Sequence, residues 1–143
     1  MNSEHGAAPA LPSLDGLPVL DQSMIDQLRQ LESIRPGLLG HLFGVFERSV
    51  DSLFAELEHQ SRGGMHNELR IAFHSLKGSA ASLGARRFCR VAEHAELIAS
   101  GEAGEQAYTQ VSELMRDEFN TLKAALAAQL ARSGDQAAKE ASR

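Results

Sequence analysis

Tryptophan is absent from this 143-residue chain, tyrosine and cysteine occur once each, and there are only four prolines. A lone thiol, Cys89, cannot build a disulfide framework, so the fold must hold by packing and the chain reads as cytoplasmic. No apolar run approaches the roughly 20 residues that span a bilayer. The N-terminus also lacks the basic start and apolar stretch of a secretory signal. A formal net charge of -5 argues against nucleic acid as a partner, because phosphate backbones call for a cationic surface. What remains is an apolar fraction of 43% with abundant Ala, Leu, Glu, Gln and Arg, which suits one helical domain with its own core.

Three of the four prolines fall in residues 1–19, which read as a flexible N-terminal segment. Residues 132–143 are small and polar and read as a disordered tail. Five helical patterns lie between them, over about 21–33, 36–59, 65–83, 85–99 and 104–131. The first is short, with Asp21 or Ser23 as N-cap and a stripe of Ile25, Leu28 and Leu31. The second opens at Pro36 and holds a spacing of three and four from Leu39 to Leu57. Gly84 stops the third, whose stripe is Leu69, Ala72, Phe73, Leu76, Ala80 and Leu83. The fourth turns Phe88, Val91, Ala92, Ala95 and Ile98 inward, and the fifth turns Tyr108, Val111, Met115, Phe119, Leu122 and Leu126. Long amphipathic helices joined by short loops give an all-α domain over 20–131: an antiparallel four-helix bundle with a short additional N-terminal helix.

One histidine stands apart. His74 follows the core position Phe73, so it lies about 100° from the stripe centre, at the edge of the buried face. Lys77 and Gly78 follow one turn on and share its side of the helix. A glycine inside a helix costs about 1 kcal/mol relative to alanine, so Gly78 needs a reason. An absent side chain there would let a partner protein reach the imidazole. The Lys77 ammonium would suit an oxyanion attached to that ring. The window from Arg70 to Ala92 holds five basic residues (Arg70, Lys77, Arg86, Arg87, Arg90) and no acidic one. That implies a local positive field in an otherwise acidic chain.

The run His74-Ser75-Leu76-Lys77-Gly78-Ser79-Ala80-Ala81-Ser82-Leu83-Gly84-Ala85 resembles the histidine phosphotransfer (HPt) domains of two-component phosphorelays. The family hallmark is His-x-Leu-Lys-Gly followed by small residues and then Leu/Ile-Gly, and helix order and lengths match over about 20–131. The resemblance implies that His74 accepts a phosphoryl group from an aspartyl phosphate on a receiver domain and passes it to another receiver. It also implies a neutral ring attacking through Nε2, with Nδ1–H held by an acceptor. Family members often place Gln or Glu on the next helix, 22 residues on, which is Glu96 here. Glu93, also at the position of a family glutamate, is expected to be structural. Phe88 and Ala92 depart from the commonest family residues without touching the mechanism. No cofactor is implied, since the receiver supplies the Mg²⁺, and the domain would have no kinase activity of its own. The expected partners are receiver domains and a hybrid sensor histidine kinase, met by a monomer through Ile71, Ser75, Gly78 and Ser82, with Arg70 and Arg86 nearby. The starting Met1 and the polar tail fit a free-standing chain.

Other readings use the same bundle. A di-iron centre needs Glu-x-x-His on two helices, and only Glu56 with His59 supplies it, because Val91 precedes His94 and Gly63 precedes His66 at that spacing. A docking module without catalysis would need neither the imidazole nor the lysine. The phosphoacceptor domain of a chemotaxis-type kinase shares the bundle, and a glutamate at position 96 suits it. His5, His41, His59, His66 and His94 read as surface or cap residues, and Cys89 as a buried or half-buried small side chain.

Overall fold

A computed structural model of the chain describes residues 10–60, 66–101 and 104–141, the side chains of 59, 60 and 133–141 excepted. Among these residues the fold is all helical: α1 Gln22–Glu32, α2 Leu38–Gln60, α3 His66–Leu83, α4 Arg86–Ser100 and α5 Glu105–Ala141. The expected break at 61–64, His5 and residues 1–9 lie outside the described residues.

Helices α2 to α5 form the bundle, and α1 rests against α2 and α3 at one end. The α3–α4 pair is the most extensive contact and runs antiparallel: Cys89 lies opposite Lys77, and Glu96, farther along α4, lies opposite His74, farther back on α3. Phe46, Phe88 and Phe119 bring α2, α4 and α5 together edge-to-face, with ring centroids 5.3 to 6.2 Å apart. Each fully buried aromatic of this kind contributes about 1.5–3 kcal/mol through the apolar area it hides from water. The inward residues expected on α4 and α5 are all buried. None of the described helices is long and apolar enough to cross a membrane.

Helix ends show which local signals decide. The Asp21 carboxylate accepts the backbone N–H groups of Ser23 and Met24 at 3.0 and 3.3 Å, which settles the N-cap of α1. Leu31, expected on the α1 stripe, is 48% exposed: each step of three residues falls about 60° short of a full turn, so the stripe rotates from buried Ile25 through half-buried Leu28 out to Leu31. Pro36 does not open α2. It sits with Gly37 inside a tight turn closed by the Leu38 N–H on the Arg35 carbonyl, and Gly37 supplies the positive φ of +79°. Gly84 ends α3 at φ +76°. The Ala85 N–H donates to the Ala80 carbonyl and the Gly84 N–H to that of Ala81, a glycine-dependent cap that turns the chain sharply into α4.

Two expectations about the ends are revised. Residues 10–20 lie against the bundle, with Leu14, Val19 and Leu20 half-buried on the core and the Asp21 N–H donating to the Gly84 carbonyl at 2.7 Å. Apolar side chains between the prolines outweigh the breakers there. At the other end α5 does not stop at 131 but stays helical to Ala141. Gly134 alone costs about 1 kcal/mol, and the helix formers that follow it keep the helix going.

Candidate functional site

The site is set by one core residue. Phe73 is fully buried and fixes the rotation of α3. His74 is therefore swung outward, with its side chain 66% exposed. One turn on, Lys77 leans toward α4. Glu96 on α4 reaches both: Nδ1 of His74 lies 2.8 Å from Oε2, and Lys77 Nζ donates to Oε1 at 2.7 Å. The Lys77 ammonium holds the Glu96 carboxyl below the usual carboxylate range, with a smaller contribution from His74 and against partial burial. Glu96 in turn raises the Lys77 ammonium. Glu96 is thus an ionised carboxylate that only accepts hydrogen bonds, so the proton in the His74 contact sits on Nδ1. In the neutral ring the lone pair is then on Nε2, pointing away from α4.

Gly78 is exposed, and a Cβ built on it meets nothing within 4 Å. Packing inside the chain gives no reason for a glycine there. Ser75 and Ser82 are exposed, the Ser82 hydroxyl donating to the Gly78 carbonyl at 3.1 Å, and Ile71 is 54% exposed one turn before His74. On the α2 side, a groove of about 420 Å³ runs beside Ser75 and Ser79, walled by Val45, Arg48 and Ser52. Cys89 is half-buried, its Sγ–H on the Lys77 carbonyl, and burial raises its thiol.

The broad positive field expected around His74 is not what the fold builds. Lys77, Arg86, Arg87 and Arg90 each meet a carboxylate: Glu96, Asp21, Glu118 and Glu93 respectively. Arg70 donates to Asn67 at 2.8 Å. Arg87 turns toward α5, where it holds the buried Glu118 at 2.7 Å. Arg86 sits at the start of α4 beside Asp21, apart from the histidine. Two of these acids, Asp21 and Glu118, come from distant parts of the chain, and the other two, Glu93 and Glu96, stand just past the end of the window. Exposed Glu93, 3.9 Å from Arg90, takes no part in the His74 contact.

His94 is the residue that local reading misplaces. It is 8% exposed, and its buried Nε2 has no hydrogen-bond partner. Its position shares a helical face with Val91 and Ile98, and that periodicity was the available signal. Among the described residues no group of three or more His, Cys, Asp or Glu side chains is arranged to hold a metal ion. The His59 side chain lies outside them.

Comparison with known proteins follows the same line. The X-ray structure of a rice chain assigned as a histidine-containing phosphotransfer protein superposes with a TM-score of 0.69 at 18% identity, covering 82% of this chain and 85% of the rice chain. At that identity the likeness is one of fold. No curated protein matches significantly. The family model of the Hpt domain matches residues 41–132, more than half of the chain. By that match the chain belongs to the family of Hpt domains, the histidine phosphotransfer intermediates of two-component phosphorelays.

Proposed function

We propose that His74 carries the phosphoryl group, taking it from an aspartyl phosphate on a receiver domain and passing it to a second receiver. The observation that carries this reading is the asymmetry of the His74 ring. Nδ1–H is held by Glu96, and the rest of the ring stands in solvent. The Nε2 lone pair attacks phosphorus, the bond from phosphorus to the aspartyl oxygen breaks, and its electron pair leaves on the restored carboxylate. No proton moves. The ring gains positive charge as the N–P bond forms, and the Glu96 carboxylate is already in place to stabilise it.

The open face over Gly78 gives a receiver room to bring its phosphorylated aspartate to Nε2. Ile71, Ser75 and Ser82 would line the contact, with Arg70 and Arg86 farther out at the rim. The donor would be a receiver on a hybrid sensor histidine kinase. The receiver's acidic pocket would bring the Mg²⁺. A cytoplasmic monomer suits the transient contact that a relay needs.

The test is to incubate the chain with a receiver carrying labelled phosphate. Label stable in alkali and labile in acid should appear on the wild type and be absent from His74→Gln. Uptake of such label by the variant would remove His74 from the role. The Glu96 carboxylate gives one specific point in favour of a second reading, a chemotaxis-kinase-type phosphoacceptor. Label arriving from ATP and a kinase domain, and never from a receiver, would select it.

A further inference from the structure

Residues 10–20 are tied to the bundle by little backbone. Within them the Leu17 N–H donates to the Leu14 carbonyl and the Asp15 N–H to the Ser13 hydroxyl. Among the described residues, the first backbone bond to the bundle comes only past their end, from the Asp21 N–H to the Gly84 carbonyl. Pro12 and Pro18 have no N–H to offer. Side-chain burial holds the segment instead, with Leu14, Val19 and Leu20 half-buried on the core. A segment held this way opens at lower cost than a helix of the bundle.

Where Pro12 meets α4 there is a groove of about 430 Å³, lined also by Arg90, Glu93, His94, Glu96 and Leu97. His94 is its buried member, and its Nε2 has no hydrogen-bond partner among the described residues. A neutral ring tolerates such a place. An imidazolium does not, because it puts a charged N–H in a dry site without an acceptor. The charged and titratable groups around it have partners of their own. On α4, Glu93 stands 3.9 Å from Arg90, and Glu96 takes Lys77 and His74 of α3. On α5, Glu118 takes Arg87, and the Tyr108 hydroxyl pairs with His66. The segment itself brings Asp15, which is exposed. Burial alone lowers the His94 value.

Water must therefore enter before His94 can take a proton. Helices α4 and α5 are locked together by Phe88 against Phe119 and by Arg87 on Glu118. The segment is the neighbour that can move. We propose that residues 10–20 form an acid-released strap: protonation of His94 lifts the segment from α4 while the bundle stays folded, baring the outer face of α4 around Leu97. That side chain is already 61% exposed. The strapped form keeps His94 neutral, so its share of stability is complete above the ordinary 6.5 and fades as pH falls toward the lowered value. The device does not depend on the phosphoryl chemistry of His74. It gives the helix that carries Glu96 a second, apolar surface on the acid side only.

The experiment follows the methyl groups of Leu14, Val19 and Leu20 by NMR in the full chain from pH 7.5 to 5, with those of Val50, Val91 and Val111 as buried controls. The strap methyls should move to the positions of an unstructured chain in step with the His94 ring, while the controls stay. Protection of the Asp21 amide, corrected for the intrinsic pH dependence of exchange, should fall about tenfold or more. His94→Leu keeps every other titratable group and should hold the strap in place at pH 5. His94→Gln makes the same comparison if the leucine variant does not fold. Strap methyls that stay put while the His94 ring titrates would overturn the proposal. Release that persists without His94 would overturn it by assigning the effect to another group. Controls that move together with the strap would reduce it to acid unfolding of the whole bundle.

Discussion

The Nδ1–H of His74 donates to Glu96 across the α3–α4 interface at 2.8 Å, between residues 22 positions apart in the chain. If this bond aims the ring, Glu96→Ala should slow phosphoryl uptake by about 10-fold or more, the scale seen when an acceptor behind a functional histidine is lost. Glu96→Gln keeps an acceptor and should lose less. Uptake rates from a labelled receiver measure both, and equal rates for Glu96→Ala and the wild type would count against the aiming role.

Gly78 should separate stability from function. Its Cβ position is empty space, so Gly78→Ala should stabilise the free chain by about 1 kcal/mol through helix propensity. The same methyl group stands where a partner would approach His74, so uptake should fall, and fall further in Gly78→Leu. Urea denaturation and transfer rates on the same samples check the two signs. A destabilised Gly78→Ala would mean that the glycine serves the fold.

Gly84 should show the opposite pattern. Its φ is +76°, and an added Cβ would lie 2.9 Å from Met24 Cβ and 3.3 Å from Asp21 Cβ. Backbone strain and overpacking act together, so Gly84→Ala should cost about 2–3 kcal/mol. The change should loosen the docking of α1, which a thermal melt and amide exchange at Asp21 would report.

His94 should give the fold an acid limit. Burial lowers its value below the ordinary 6.5. The unfolded chain then binds a proton that the folded one refuses. The stability tied to neutral His94 is fully present above pH 6.5 and is lost as pH falls through that value toward the lowered folded one. His94→Leu should remove this part of the slope and, by deleting an orphaned buried nitrogen, raise stability by about 1 kcal/mol at pH 7. Denaturation midpoints between pH 4.5 and 8 for the two proteins make the comparison.

The periodic apolar positions of α2 to α5 determined the bundle, because a helix with one apolar stripe has few ways to hide it. They also placed His74 at the edge of the buried face, about 100° from Phe73, and the packing of α3 leaves its side chain 66% exposed. The pairing of Glu96 with His74 was legible by resemblance to a family, not from the spacing of charges. Tertiary structure decided what the charges do. Arg87 and Glu118 are 31 positions apart, and Arg86 and Asp21 are 65 apart. A basic window that looks like a field around one histidine is balanced in part by acids, Asp21 and Glu118, that only folding brings near. Lys77 shows the same division. The sequence placed it one turn from His74, but only the packing of α3 on α4 put its ammonium on the far oxygen of the carboxylate that holds the ring. Local sequence sets which way a side chain leaves its helix, and the neighbouring helix decides what it meets there.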